Sequence, residues 1–333
     1  MRHRLKDVAE RAGVSVKTVS NVVNGYPHVR PDTRAKVEEA IAALKYRPNL
    51  SARNLRRGRT GIIALAVPKL GLPYFAELAR HVVDAAAKHE WTVLIDQTNG
   101  SPEQERMVAL GIRDHLIDGV IFSPLALTAA DLATGSQRAP MVLLGERVHH
   151  GPADHVAIDN VAAARDMTAH LIALGRRRIA AIGVQHTEEG VTARLRLAGY
   201  TAALTAAGIP VDERLLVPAS AWHRTEGAAG MRALLAAGAR PDAVFCFNDT
   251  LALGALRALH EAGLRVPDDV AVAGFDGIED GRFSVPTLTT IAPDKERLAQ
   301  IAVDLLAARL SGPDGAPPQE RLVDYQLRRG ESA

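Results

Sequence analysis

Short apolar runs alternate with amphipathic segments over most of the chain after residue 60, and this alternation is the strongest constraint on the fold. Seven runs of four to seven residues have the length of strands buried on both faces. The segments between them have helical periodicity. Together they predict parallel sheets with helices on both faces. The predicted strands are 61–67, 91–95, 119–122, 141–144, 179–183, 243–247 and 270–274, and the predicted helices are 75–89, 160–174, 193–207, 225–237 and 250–262.

This α/β region is 273 residues long, which exceeds one doubly wound domain and predicts two similar lobes. We expect a first lobe at about 61–158 and 291–322, and a second lobe at about 159–290 and 323–333. Ligands of such sheets bind beyond the carboxyl ends of the strands. A ligand cleft is therefore expected between the lobes.

The first 45 residues have a different pattern, with helical periodicity over 6–12, 16–24 and 32–44. Gly13 is expected to turn the chain, and Ser15 is a good N-cap for the second helix. On that helix Val19, Val22 and Val23 share an apolar face, which leaves polar residues outward near its start. The pattern predicts an all-α helix-turn-helix domain at 1–45.

Charge is divided unevenly along the chain. Residues 1–60 hold 14 Lys and Arg against 5 Asp and Glu, whereas residues 61–333 hold 26 against 33. A basic head on a mildly acidic body indicates that the head binds a polyanion such as DNA. The alternative is a basic tail that only keeps the protein in solution.

Residues 46–60 form a basic linker between the two regions. Asn49 could cap a helix of about two turns, on which Leu55 would be an exposed apolar side chain. So short a helix is marginal in water. We expect it to form only when it docks on DNA and on its twin.

Several classes of protein are disfavoured. Cys246 is the only cysteine, which excludes an internal disulfide and fits a reducing compartment. The N-terminus lacks the apolar core of a signal peptide, and the run 61–67 is too short to span a bilayer. We therefore expect a cytoplasmic protein that does not bind membranes.

Motifs for catalysis are also missing from the sequence. There is no nucleophile elbow, phosphate loop or dinucleotide fingerprint. Histidines, including the pair His149 and His150, lack metal-ligand spacing tied to acidic residues. We expect no enzyme, no catalytic residue, no cofactor and no metal site.

The N-terminal motifs resemble those of the lactose-repressor/galactose-repressor family of bacterial transcriptional regulators. The matching segments are 5–15 (LKDVAERAGVS), 18–25 (TVSNVVNG) and 46–49 (YRPN), with Ala52, Arg53 and Leu55. The resemblance covers essentially the whole chain. It implies a homodimer that binds a near-palindromic operator, with paired hinge helices in the minor groove and Leu55 wedged at a central step.

The resemblance also implies roles for residues of the head. Val16, Lys17 and Asn21 would read bases. Phosphate or DNA-backbone contacts would come from Ser20, Asn24, His28, Thr33, Tyr46 and Asn49. Because the chain lacks a trailing leucine heptad, a dimer rather than a tetramer is expected.

For the body the resemblance implies the fold of periplasmic sugar-binding proteins, with Arg196 as a ligand-holding arginine. Asn248 and Asp276 follow predicted strands, and Trp222 would offer an apolar face to a sugar ring. Tyr74 and Phe75 would close the cleft from the other lobe. Arg, Asp and Asn side chains suit the hydroxyls of a polyol.

Other interpretations of these residues stand beside this one. Asp276 would only cap a turn before Gly277, and Arg196 would be a solvated helix residue. Asn248 would cap the following helix, and Phe75 would belong to the core.

The expected function is a DNA-binding transcriptional regulator, a repressor of carbohydrate-use genes controlled by a sugar-like effector. Several sugar-sensing relatives have an acidic residue after the strand 141–144, where this chain has Gly145 followed by Glu146. One alternative is a regulator that responds to a purine or nucleoside. Another is a solute-binding protein, which leaves the basic head unexplained.

Overall fold

The computed structural model describes residues 4–23, 26–46, 59–111, 116–134, 139–188, 190–313 and 315–333. Contacts divide the chain into two units, the head at 1–60 and the body at 61–333. Asn24 lies outside the described residues, as do residues 47–58, which include Asn49, Leu55 and most of the predicted hinge at 46–60.

The described head consists of three helices: α1 (Leu5–Ala12), α2 (Val16–Val23) and α3 (Pro31–Ala43). Gly13 follows α1 with φ of 63°, a left-handed conformation that glycine adopts without strain. The Oγ of Ser15 then accepts a hydrogen bond of 3.1 Å from the backbone N–H of Thr18, as expected of an N-cap. The glycine turn and the serine cap together separate α1 from α2.

One small apolar core holds the three helices together. Its buried side chains come from every helix and from the residue after the last turn; they are Val8, Ala9, Val19, Val22, Val37, Ala40 and Tyr46. Val23, expected on the apolar face of the second helix, is only partly buried and packs against this cluster, as do Ile41 and Leu44. The predicted helix-turn-helix arrangement is present.

The body contains two sheets and the helices that cover them. In chain order its elements are β1 (Ile62–Val67), α4 (Pro73–Ala87), β2 (Thr92–Gln97), α5 (Pro102–Ala109), β3 (Gly119–Phe122), α6 (Ala129–Thr134), β4 (Met141–Leu144), β5 (Asp154–Ala157), α7 (Asn160–Ala173), β6 (Ile179–Val184), α8 (Val191–Ala206), β7 (Leu216–Pro218), α9 (Arg224–Ala236), β8 (Ala243–Cys246), α10 (Asp249–Glu261), β9 (Ala271–Phe275), β10 (Thr289–Pro293), α11 (Lys295–Ser311), β11 (Glu320–Leu322) and β12 (Tyr325–Arg328). Short 3₁₀ helices lie at Glu213–Leu215 and Glu279–Arg282.

The first lobe is built on a sheet with strand order β11-β5-β4-β3-β1-β2, in which every pair is parallel. The second lobe is built on a sheet with order β12-β10-β9-β8-β6-β7, parallel except for the β10–β12 pair. This is the two-lobed doubly wound architecture that the alternation predicts.

Within the described part of the chain, three segments pass between the lobes: β5 to α7, β10 to α11, and β11 to β12. Helix α11 packs on α4 and on strands β3 to β5, which places it in the first lobe. Strand β10 runs to Pro293 in the sheet of the second lobe, so the chain returns to the first lobe slightly later than residue 291.

Five strands were not predicted: β5, β7, β10, β11 and β12. Strand β5 is fully buried although it contains Asp154 and His155. The Asp154 carboxylate is paired there with the guanidinium of Arg309, with an N–O distance of 2.7 Å. A buried charge that is paired in this way is tolerated, but its partner cannot be read from local hydrophobicity.

Among the described residues, no helix combines the length and apolar composition needed to cross a membrane.

Candidate functional site

A cavity of about 750 Å³ lies between the two lobes, at the carboxyl ends of their strands. All six residues predicted to bind the effector line it. Tyr74 and Phe75 come from the first lobe, and the other four, Arg196, Trp222, Asn248 and Asp276, come from the second lobe. The volume lies in the range typical of small-molecule sites.

Arg196 projects from α8 and is 5% exposed, so its interpretation as a solvated helix residue is wrong. Its Nε donates to Oδ1 of Asn160 at 2.8 Å, and its Nη1 donates to the carbonyl of Phe247. The guanidinium carbon lies 3.5 Å from the ring centroid of Phe275, within the range of a cation–π contact. These contacts hold the guanidinium rigidly, with its Nη2 3.6 Å from Oδ1 of Asp276.

Asp276 directly follows β9 and has φ of 112°, an uncommon conformation for a residue with a side chain. Burial raises the pKa of its carboxyl group to about 6, although the nearby cations Arg196 and Lys295 oppose the shift. The carboxylate faces Arg196 across the cavity wall. This group is therefore costly to keep ionised until a ligand supplies hydrogen bonds.

A second buried carboxylate supports the turn that carries Asp276. Oδ2 of Asp249 accepts from the backbone N–H of Ile278 at 2.8 Å, and its Oδ1 accepts from the Thr290 hydroxyl at 2.6 Å. Burial raises the pKa of Asp249 well above its ordinary value. Asp249 is a positioning residue, because it holds the N–H of Ile278 directly and that of Gly277 through the Thr290 hydroxyl, which accepts from Gly277 at 3.3 Å.

Trp222 and Asn248 are linked to each other. The indole Nε1 of Trp222 donates to the carbonyl of Gly183 at 3.1 Å, and the Trp222 carbonyl accepts from Nδ2 of Asn248 at 3.1 Å. Oδ1 of Asn248 caps α10 by accepting from the N–H of Leu251 at 2.8 Å. The predicted capping role of Asn248 is confirmed, and the same side chain holds the backbone of Trp222, whose indole lines the cavity.

Tyr74 and Phe75 lie at the start of α4 and contact each other edge to face, with ring centroids 5.3 Å apart. Phe75 lines the cavity and also packs against the apolar core, so its position is compatible with both predictions, a cavity residue and a core residue. Burial, then the carboxylates of Asp276 and Glu146, raise the pKa of the Tyr74 hydroxyl. Tyr74 is therefore a neutral hydrogen-bond donor facing the acidic side of the cavity.

Glu146 was not among the predicted site residues, yet it lines the cavity. Its carboxylate accepts from Nδ2 of Asn160 at 2.7 Å and from the hydroxyl of Thr192 at 3.0 Å. Because Asn160 also contacts Arg196, a continuous chain of hydrogen bonds joins Glu146 of the first lobe to Arg196 of the second. An acidic group therefore follows β4 one residue later than Gly145.

Two further contacts bridge the lobes beside the cavity. The Nζ of Lys295 pairs with Glu77 of α4 at 2.8 Å and donates to the carbonyl of Asp276 at 2.7 Å. The guanidinium of Arg147 donates to the carbonyl of Glu188. These contacts bind the two lobes around the cavity through groups that a change in lobe angle would separate.

In the head, the predicted DNA-reading residues lie on α2, with Val16 and Lys17 in its first turn and Asn21 in its second half. Val16 is 43% exposed and Lys17 is exposed, whereas Ser20 and Asn21 are half-buried. His28 is exposed in the loop before α3.

The remaining described candidates lie at the two ends of α3. Thr33 is half-buried in its first turn. The neighbouring Arg34 holds the preceding loop, because its Nη2 donates to the carbonyl of Tyr26 at 2.7 Å. Tyr46 is 8% exposed and belongs to the head's apolar core, so packing accounts for most of its surface.

Comparison with known proteins matches both units. Residues 4–49 match the family model of bacterial regulatory proteins, lacI family, and residues 168–333 match a periplasmic binding protein-like domain. The chain is 33% identical over 312 residues to the HTH-type transcriptional repressor PurR of Mannheimia succiniciproducens, covering 93% of this chain and 92% of the relative. It is 32% identical over 330 residues to the ribose operon repressor of Escherichia coli, covering 98% and 99%.

Solved structures agree with these matches. A Lac repressor dimer bound to operator and the anti-inducer ONPF is 30% identical, with a TM-score of 0.84 over 100% of this chain and 99% of that one. The proteins compared are transcriptional regulators rather than enzymes. With a helix-turn-helix head, a two-lobed body and relatives of this identity along nearly its whole length, the chain belongs to the lacI family of bacterial regulatory proteins.

Proposed function

We propose that this protein is a homodimeric transcriptional repressor that binds a near-palindromic operator through its head and a sugar through the cavity of its body. In this scheme residues 1–45 read the operator, 46–60 form a hinge, and 61–333 bind effector and form the dimer. Effector binding shifts the angle between the lobes and thereby changes the affinity for DNA.

The observation that carries the sugar proposal is the Arg196–Asp276 pair beside Trp222. The carboxylate accepts from hydroxyls and the guanidinium donates to them. The Trp222 ring, whose centroid lies 5.2 Å from the guanidinium carbon of Arg196, offers an apolar surface to the C–H face of a sugar ring. Glu146 adds a second acceptor from the opposite lobe.

One relative, the ribose operon repressor of Escherichia coli, supports a sugar effector. A purine or nucleoside would need stacking aromatic rings on both of its faces, or edge-reading amides. The cavity wall has the rings of Trp222, Tyr74 and Phe75, and both amide atoms of Asn248 are already engaged by protein groups. The preference for a polyol therefore comes from the charged Arg196–Asp276 pair, and a nucleoside is the alternative that a ligand screen distinguishes.

The head supports operator binding because exposed Val16 and Lys17 occupy the first turn of α2, where a recognition helix meets base edges. Specific binding by a dimer of this head requires two half-sites related by a two-fold axis. The solved Lac repressor dimer on its operator shows such an assembly in a related chain.

A thermal-shift screen of the full chain with pentoses, hexoses, disaccharides and nucleosides tests the effector class. A ligand that binds only the folded state raises the melting temperature with its concentration. We expect a sugar to do so and to change operator affinity in a fluorescence-anisotropy titration. A shift with nucleosides alone would refute the sugar proposal and leave the regulator proposal intact.

The matched variants Arg196→Lys and Arg257→Lys test whether the sugar-dependent thermal shift comes from binding in the cavity. Arg196 is buried at the cavity, and Arg257 lies on α10 with 69% of its side chain exposed. Lysine keeps the charge but cannot reproduce the planar fork of donors. We expect only Arg196→Lys to abolish the sugar-dependent shift; equal responses of both variants would exclude the cavity as the site.

A further inference from the structure

Two histidines and a glutamate, none of which lines the effector cavity, meet in the first lobe. Within the described part of the chain, His149, His155 and Glu320 each offer one ligand atom, and these atoms lie within 4.8 Å of one another. His149 and Glu320 are exposed, whereas His155 on β5 is buried. A metal ion could therefore reach the cluster from solvent past His149 and Glu320, while the buried His155 would hold it from the protein side.

His155 is oriented as a metal ligand would be. Its Nε2 faces the carbonyl of Gly145, which can only accept, so the imidazole proton lies on Nε2. The lone pair of Nδ1 then points toward Oε1 of Glu320, 4.0 Å away. A histidine ligand commonly donates its other ring N–H to a backbone carbonyl, which fixes its tautomer.

The two exposed groups can complete the set. The His149 ring stands perpendicular to that of His155, with ring centroids 4.8 Å apart. The Glu320 carboxylate accepts from the backbone N–H of His150, which keeps it at this edge of the sheet. Around a tetrahedral metal, ligand atoms are about 3.3 Å apart for bonds of about 2.0 Å. The buried His155 is fixed and its Nδ1 lies 4.0 Å from Oε1 of Glu320, so both exposed side chains, His149 and Glu320, must rotate to bring the three atoms that close.

We propose that His149, His155 and Glu320 form a binding site for a divalent transition metal of the zinc class. Two imidazole nitrogens and one carboxylate oxygen suit zinc rather than magnesium or calcium, which prefer all-oxygen sites. Three protein ligands leave one position for water or a further side chain. The chain's own spacing could not predict this site, because Glu320 lies 165 or more positions from both histidines.

The site also has a structural connection to the effector cavity. His155 holds the carbonyl of Gly145, and Gly145 and Glu146 both line the cavity. Bound metal would fix His155, and with it the loop that carries Glu146. Metal binding is therefore expected to alter effector affinity, while the site itself does not depend on which effector the cavity takes.

Isothermal titration of the untagged full chain with Zn²⁺, in a buffer that does not chelate metal, tests the proposal. We expect one Zn²⁺ per chain, and visible absorption bands of a four-coordinate site when Co²⁺ is used instead. His149→Gln and Glu320→Gln alter exposed side chains, so both variants should fold. Each should weaken Zn²⁺ binding by at least about ten-fold, because loss of a ligand exceeds the effect of losing an outer contact.

His260→Gln is the matched control, since His260 is exposed on α10 of the second lobe. It should bind Zn²⁺ like the natural protein. The proposal is overturned if the natural chain binds no Zn²⁺ with metal in excess, if excess Mg²⁺ displaces it, or if His260→Gln weakens binding as much as the two site variants. Unchanged Zn²⁺ binding in both His149→Gln and Glu320→Gln would also overturn the metal-site proposal. This outcome is independent of whether the cavity binds a sugar.

Discussion

Replacing Asp276 by Asn should make the ligand-free protein more stable while removing its response to effector. The carboxyl group has a pKa of about 6 in the folded chain against an ordinary value of 3.8, chiefly because it is buried. A shift of roughly two units corresponds to about 3 kcal/mol at neutral pH. Asn keeps the size of the side chain and tolerates the positive φ of this position, but carries no charge.

The sign of the pH dependence follows from the raised pKa. The folded state of the natural protein binds this proton more tightly than the unfolded state does. The stabilising contribution of the protonated group is therefore present below about pH 4 and is lost as the pH rises toward about 6. The free energy of unfolding of Asp276→Asn should exceed that of the natural protein by about 3 kcal/mol near pH 7.5 and by only about 1 kcal/mol near pH 4.5.

Urea denaturation followed by tryptophan fluorescence measures this difference. Both tryptophans, Trp91 and Trp222, belong to the body, so the signal reports unfolding of the domain that contains Asp276. Asp268→Asn is the control, because the Asp268 side chain is 64% exposed in the same lobe. An Asp276→Asn variant that is no more stable than the natural chain near neutral pH would refute the reasoning, as would an advantage that does not change with pH.

Four further predictions concern the head and the cavity. Lys17→Ala should change the preferred half-site in a selection from random operators, whereas Lys36→Ala, on the exposed face of α3, should not. Val19→Ala, at a fully buried position, should destabilise the small head by about 2 kcal/mol and abolish operator binding, while ligand-induced thermal shifts of the body persist. Leu55→Ala should remove specific binding in gel-shift titrations but leave weak, salt-sensitive binding; retained specificity would exclude intercalation. Glu146→Gln should weaken sugar binding about ten-fold by calorimetry, because a charged acceptor at the cavity is lost; unchanged affinity would remove it from the site.

Much of the architecture follows from hydrophobic pattern alone. Strands β3 and β4 were predicted with their observed bounds because both are uninterrupted apolar runs. The turn at Gly13 and the cap at Ser15 were equally predictable, since each depends on the chemistry of one residue and its nearest neighbours. Where the determinants are local, the sequence is sufficient.

The failures occur where distant residues decide the outcome. Strand β5 was missed because Asp154 needs Arg309, which lies 155 positions away, before it can be buried. Arg196 was expected at the cavity because of the resemblance to a known family, and Asp276 because it follows a predicted strand; both line the cavity. Glu146 was not, because its role depends on Asn160 and Thr192 meeting it across the gap between the lobes. Side-chain partnerships between lobes are not encoded in any local pattern.

The three passages of the chain between the lobes have a mechanical consequence. A single connection would let the lobes twist, tilt and slide independently, whereas three connections side by side suppress most of these motions. What remains is close to one degree of freedom, a rotation about the axis on which the connections lie. Any ligand that draws Glu146 and Arg196 together must then move the whole first lobe along the same path, whatever the chemistry of that ligand.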